Sequence, residues 1–169
     1  NRELEIERSL ERVRTVVAGM QQSQDLTAVL QQIRESLTTL DFDFLWTGIN
    51  IFDLEQGLVH VSFAVGDAVT CTLRLEDVLA QVVPFSDYME HWRRQEVYHH
   101  SYELKEAEGY LDNMAGLPGF DAAYRETFGI SVADVVPKVQ AAGGLTEIDV
   151  PFTQGSFYVS RLGLDALSA

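Results

Sequence analysis

Strict alternation over residues 58–65 constrains this chain more than any other feature. Val59, Val61, Phe63 and Val65 fall on one side, and His60 and Ser62 on the other. A period of two marks a strand with one buried face and is incompatible with a helix. The stretch before it, Leu45 to Phe52, is rich in β-branched and aromatic residues, and Asp53-Leu54-Glu55-Gln56-Gly57 between them is a turn ending in glycine. The pattern predicts an antiparallel hairpin. Gly66-Asp67 makes the next turn, and Val69 to Leu75 a third strand. A second hairpin comes late: Leu145 to Val150, a turn over Pro151-Phe152-Thr153-Gln154-Gly155, then Ser156 to Arg161.

Helical patterns fill the rest. Over residues 2–20, Ile6, Leu10, Val13, Val17 and Met20 recur alternately four and three apart, with an Arg/Glu-rich opposite face. That is a heptad seam. So short a helix needs a partner for its apolar stripe, either its own domain or the same helix in a second chain. Ser23 or Asp25 caps a second helix, with Leu26, Val29, Leu30, Ile33, Leu37 and Leu40 on a wider face suited to lying on a sheet. Pro84 opens a helix from Phe85 to Arg94, and Glu96 to Tyr102 is a fourth strand. Lys105 to Met114 is helical and ends at Gly116-Leu117-Pro118-Gly119; Phe120 to Phe128 is helical again. Val132 to Ala142 reads as either helix or loop, and Pro137 argues against one continuous helix. The order predicts an α+β fold: a central antiparallel sheet, N-terminal amphipathic helices packed on one face, and inserted helices over the other.

Net charge restricts the partners. The chain carries a formal −14, from 26 acidic and 12 basic side chains. The four Arg and four Glu of residues 1–14 cancel, so the whole excess lies in the body. A surface this acidic, without a Lys/Arg cluster, repels phosphate backbones and anionic lipid, so no nucleic-acid partner is expected. No apolar run approaches the roughly 20 residues of a membrane span, and there is no secretory pattern. No direct membrane contact and a cytoplasmic location are expected. A chain that begins at Asn1 without methionine is expected to be cut from something longer.

The chemistry-bearing residues form no catalytic signature. Cys71 is the only cysteine, which excludes an internal disulfide and a cysteine-based zinc site, and its setting in a strand reads as a small core residue. His91, His99, His100 and Glu103 are the one candidate metal group. On a strand, however, His99 and His100 point to opposite faces, so no metal site is assigned. There is no nucleophile elbow, and Gly66, Gly116, Gly119 and Gly143-Gly144 form no phosphate-binding loop. Gly48 reads as a close-packing or bulge position and Gly155 as a turn position.

Three stretches resemble the GAF fold, in particular GAF-like sensory domains ahead of the kinase core in bacterial histidine kinases. They are Leu4 to Arg14, similar to the linker helix before such domains; Gly48-Ile49-Asn50-Ile51-Phe52-Asp53; and Val150-Pro151-Phe152-Thr153-Gln154-Gly155-Ser156-Phe157, similar to the closing hairpin. The resemblance covers nearly the whole chain. It implies a linker and dimerisation helix over residues 1–22, a sensory domain over 23–161 and a tail over 162–169. It implies a regulatory module, not an enzyme, that binds a small ligand or relays a signal through a dimeric helix to an output domain such as a histidine kinase. After Arg161 it would call for a further helix into that output domain.

The resemblance also places a pocket between the sheet and the inserted helices. The candidates to line it are Trp46, Phe52, Trp92, Tyr98, Tyr102, Tyr110 and Phe157, with Arg74, His99 and His100 as polar groups beside Tyr102. The ligand is left open. A covalent tetrapyrrole is not expected, because Cys71 has no neighbouring histidine and lies in an early strand. Two other readings stay open: a ligand-free dimerisation scaffold with a filled core, and a metal-dependent enzyme using His99 or His100 with Glu103.

Overall fold

The computed structural model describes residues 45–63 and 70–164, with Leu4, Arg8, Glu11, Thr15, Gln31, Gln32 and Glu35 as exposed helical positions before them. The heptad residues Ile6, Leu10, Val13, Val17 and Met20 lie outside the described residues, as does the apolar face of the second expected helix.

Six strands form one antiparallel sheet: β1 Trp46–Asp53, β2 Leu58–Phe63, β3 Thr70–Arg74, β4 Tyr98–Glu103, β5 Gly144–Phe152 and β6 Gly155–Leu162. Their spatial order is β3-β2-β1-β6-β5-β4. Both expected hairpins are present, β1 with β2 and β5 with β6. The α+β architecture expected from the sequence is therefore observed.

Between β3 and β5 the chain inserts its helices: α1 Leu75–Gln81, α2 Phe85–Arg93, α3 Leu104–Ala115, α4 Phe120–Phe128 and α5 Val136–Ala142. They cover the sheet face that carries Trp46, Phe52, Val59, Val61, Phe63, Leu73, Tyr98, Tyr102, Leu145 and Tyr158. Val78, Tyr88, Met89, Ala107, Leu111, Phe120, Tyr124 and Val139 come down from the helices to complete this core. Edge-to-face rings knit one end of it, with Phe63 at 5.6 Å from Phe120 and Trp46 at 5.5 Å from Tyr124. The opposite sheet face is buried as well: Ile49, Val150, Phe157 and Val159 are at most 3% exposed.

Several boundaries differ from the sequence reading, each for a local reason. Leu75 begins α1 and does not end β3. Leu75, Val78 and Val82 recur with helical spacing, and Glu76 and Asp77 in the first turn favour the positive end of the helix dipole. The fourth strand starts at Tyr98, not Glu96, because Gln95 takes a left-handed φ of 56° and Glu96 still bonds back to His91. Residues 132–142 are a 3₁₀ turn followed by α5, and Pro137 sits in the first turn of that helix, where no amide donor is required. The last hairpin is tighter than expected, with only Thr153 and Gln154 between the strands, and β6 runs on to Leu162.

Pro151 lies inside β5 yet disturbs nothing, since β4 pairs no further along β5 than Asp149. Near the end of β5, α2 and the turn after it add side-chain bonds of their own. Trp92 Nε1 donates to the Phe152 carbonyl at 2.9 Å, with a longer 3.4 Å contact from Gln95 Nε2. Trp92→Phe keeps a ring edge-on to Phe52 (4.7 Å) and removes this donor. The expected cost is about 1 kcal/mol, read as a lower urea midpoint at unchanged m-value.

Candidate functional site

Alternation along β5 sends Leu145, Glu147 and Asp149 to the helix-covered face. The register sets Asp149 between Tyr98 on β4 and Tyr158 on β6, and Glu147 between His100 and Ser160. Two carboxyls two residues apart thus project side by side into a layer of phenols. Above them lies a cavity of about 60 Å³, bounded by Trp46, Asn50, Tyr88, Tyr98, Tyr102, Tyr110, Glu147 and Tyr158, with Val59, Val61, Phe63 and Phe120 toward β2 and α4. At roughly 10–15 Å³ per water centre it holds a few waters or one small chemical group.

The polar atoms around this cavity fall into two sets. One set is paired. Tyr88 Oη meets Ser156 Oγ, Asn50 Nδ2 donates to Tyr88 Oη at 3.5 Å, and Tyr158 Oη donates to the Ser62 carbonyl at 3.4 Å. Tyr110 bonds to the Glu147 carboxyl. The other set is buried with no partner outside the Glu147–Asp149 pair itself: Tyr98 Oη, Glu147 Oε2, both carboxyl oxygens of Asp149, and Ser160 Oγ. Each such group ordinarily costs stability, and these five atoms sit on three adjacent strands of one sheet face. They are the whole set of buried side-chain N and O atoms left without a partner among the described residues.

Burial sets the electrostatics. It pushes the Asp149 carboxyl well above the usual carboxylate range, and the charge of Glu147 adds to the rise. Burial raises Glu147 too, opposed by its hydrogen-bonding neighbours and by His100. The two carboxyls hydrogen-bond to each other, and Asp149 is the more strongly raised of the two. Burial and then the field of the acid pair hold the phenols of Tyr98 and Tyr102 above their ordinary value.

A cleft of about 290 Å³ opens beside the cavity, between Val82, Val83 and Pro84 on one side and Glu106, Gly109, Tyr110 and Asn113 of α3 on the other. Val82, Pro84, Tyr102 and Tyr110 border both spaces. Tyr102 and Tyr110, stacked at 4.6 Å, form the partition between them. His100 Nε2 contacts Glu106 Oε1 at 2.8 Å near the rim.

The residues singled out from the sequence separate into three groups. Trp46, Tyr98, Tyr102 and Tyr110 line the cavity. Phe52 and Trp92 meet edge-to-face at the α2 end, and His100 packs on Tyr102 at 4.3 Å; these three flank it. Arg74, His99 and Phe157 are not brought there. Arg74 is exposed and paired with Glu76; His99 is exposed; Phe157 is buried on the opposite sheet face. His91 bonds its Nδ1 to the Asp87 carbonyl, apart from His99 and His100, and no group of three or more metal-ligating side chains is assembled among the described residues. Cys71 is buried, and burial raises its thiol.

Glu147, Asp149, Ser160, Tyr88 and Tyr158 are not singled out by sequence reasoning. The signal that could have found the acid pair is the alternation Leu145-Thr146-Glu147-Ile148-Asp149-Val150 itself. Among the described residues no helix is long and apolar enough to cross a membrane. No known family, curated protein or solved structure matches the chain.

Proposed function

We propose that this chain is a ligand-binding regulatory module, GAF-like as its sequence suggests, serving a bacterial signalling protein in the cytoplasm and doing no chemistry of its own. One observation carries this reading: an aromatic cavity between the sheet and the inserted helices, lined by Tyr98 and Glu147, each with a buried polar atom that a guest or ordered water can satisfy. A core evolved only to be filled has no use for two carboxyls there. The sheet with helices inserted over one face also fits what the GAF resemblance implies. In this reading the guest biases one of two packings of the domain, and the N-terminal helix, paired with its copy in a homodimer, carries that bias to an output domain such as a histidine kinase.

Native mass spectrometry of protein purified without added ligand tests the reading. The expected spectrum contains a species heavier than the chain by one small molecule. That species is expected to disappear in Met114→Phe, which narrows the cavity. A native mass equal to that of the chain, together with a melting temperature that no small molecule raises, would make it a ligand-free scaffold.

A further inference from the structure

We infer that the cavity takes an organic cation, with a primary ammonium or amidinium group seated against Glu147 and Asp149 and an apolar body leaving through the cleft over Tyr102 and Tyr110. The inference rests on the ligand-binding reading above and adds the chemical class of the guest.

The unpartnered atoms select that class. Glu147 Oε2 and the Asp149 oxygens accept hydrogen bonds when ionised and have no donor outside the acid pair. Tyr98 Oη and Ser160 Oγ are hydroxyl oxygens and can also accept. Tyr98 is only 6% exposed and lines the cavity, Ser160 is fully buried, and neither is partnered. Tyr98 and Glu147 present acceptors to the cavity, Asp149 and Ser160 stand next to Glu147 on the same sheet face, and the matching guest is rich in donors. An ammonium brings three donors and a positive charge on one atom.

Charge points the same way. Among the side chains bordering the cavity Glu147 is the ionisable carboxyl, Asp149 stands beside it, and none carries a permanent positive charge. An anionic guest would enter against two carboxyls. A neutral guest would leave their buried charge uncompensated. Apart from Glu147 and Asn50 the walls are aromatic and aliphatic, and the rings of Trp46, Tyr98, Tyr102 and Tyr158 offer the negative faces that attract a desolvated cation. At long range the −14 net charge of the chain draws cations toward the molecule.

Size settles the rest of the shape. About 60 Å³ admits a charged head and little more, whereas the adjoining cleft of about 290 Å³ can hold a ring or a short alkyl chain. A molecule spanning both must turn Tyr102 or Tyr110 aside, so binding reports on the position of α3, which carries Tyr110.

The test uses 2-phenylethylamine and its neutral counterpart 2-phenylethanol, titrated into the full chain by calorimetry. Tryptophan fluorescence follows the same titrations, since Trp46 lines the cavity. The amine is expected to bind at least tenfold more tightly than the alcohol, and Glu147→Gln with Asp149→Asn is expected to abolish that preference. Tyr98→Phe, which removes one acceptor and keeps the ring, is expected to weaken the amine several-fold and to leave the alcohol unchanged. Equal affinity for the two compounds overturns the cation assignment while leaving a ligand pocket in place. A preference that survives loss of both carboxyls overturns it as well. If neither compound binds, the assignment falls; native mass spectra that still show a bound small molecule then preserve the broader reading, and spectra of bare chain remove both.

Discussion

Ligand-free protein carrying Glu147→Gln and Asp149→Asn is expected to be more stable than the parent at pH 8, by about 1 kcal/mol for each pH unit by which burial raises the pair. Few polar substitutions in a core stabilise, and the reason here is specific. Asp149 is 2% exposed, and neither of its oxygens has a donor outside the acid pair. Burial raises both carboxyls above their ordinary values, and in Asp149 the charge of Glu147 raises it further. A raised acid binds its proton more tightly folded than unfolded. Below about pH 3 both states are largely protonated and the pair carries almost no charging penalty. As pH rises from there toward the raised folded value, the unfolded chain ionises first, and stability falls. The penalty is therefore largest at alkaline pH, opposite to a salt-bridged carboxylate. Urea midpoints of parent and variant at pH 5 and pH 8 check the sign. The gap should widen at the higher pH, and a gap that stays constant or narrows would show that the pair is not buried as a charged couple. Comparing the difference cancels the titration of the other acidic residues. A site that lowers stability in the empty protein is what a binding pocket for a complementary charge requires.

Much of the sheet was legible because its patterns are local. The β1–β2 hairpin follows from the alternation of Val59, Val61 and Phe63, and the β5–β6 hairpin from two β-rich runs joined by a turn. The acid pair was not legible, although it lies in an equally clear alternation. In Leu145-Thr146-Glu147-Ile148-Asp149-Val150 the default is to point Ile148 and Val150 inward and the acids to water. That default assumes one solvated face. Here both faces are covered, since Val150 is 3% and Asp149 2% exposed, and alternation cannot reveal this. Phe157 shows the same limit: its residue type suits a pocket wall, but a register set by Ile49 and Val150 turns it to the other side. Helix α1 is hidden because Leu73-Arg74-Leu75 continues a strand pattern and no side chain caps the helix start. Gly155 reads as a turn residue in the sequence. It is instead the first residue of β6, and glycine is required because a Cβ there would meet the Asn50 backbone.

Gly48→Ala is expected to be strongly destabilising, although it adds only one methyl group. Gly48 sits in mid-strand on β1, paired with Phe63 on β2 and Tyr158 on β6. The Tyr158 ring lies across it to reach the Ser62 carbonyl. A Cβ on residue 48 would collide with that carbonyl and with the Tyr158 hydroxyl, and would lie 2.6 Å from Tyr158 Cζ. A side chain could swing away, but the carbonyl belongs to the β2 backbone and cannot move without breaking the ladder. The cost should reach about 3 kcal/mol, the upper end for overpacking, which lowers Tm by roughly 6–12 °C in a chain of this size. Gly57→Ala supplies the control. Gly57 has a φ of 66°, and a methyl group added there would meet nothing within 4 Å. Only backbone strain of about 1 kcal/mol is therefore expected from it. Because Tyr158 walls the cavity, Gly48→Ala should also weaken 2-phenylethylamine binding, which Gly57→Ala leaves intact. Combining Gly48→Ala with Tyr158→Leu should cost less than the sum of the two, since the ring accounts for part of the clash. Were Gly48→Ala no worse than Gly57→Ala, Tyr158 would not be held over β1, and the wall it forms would have to be redrawn.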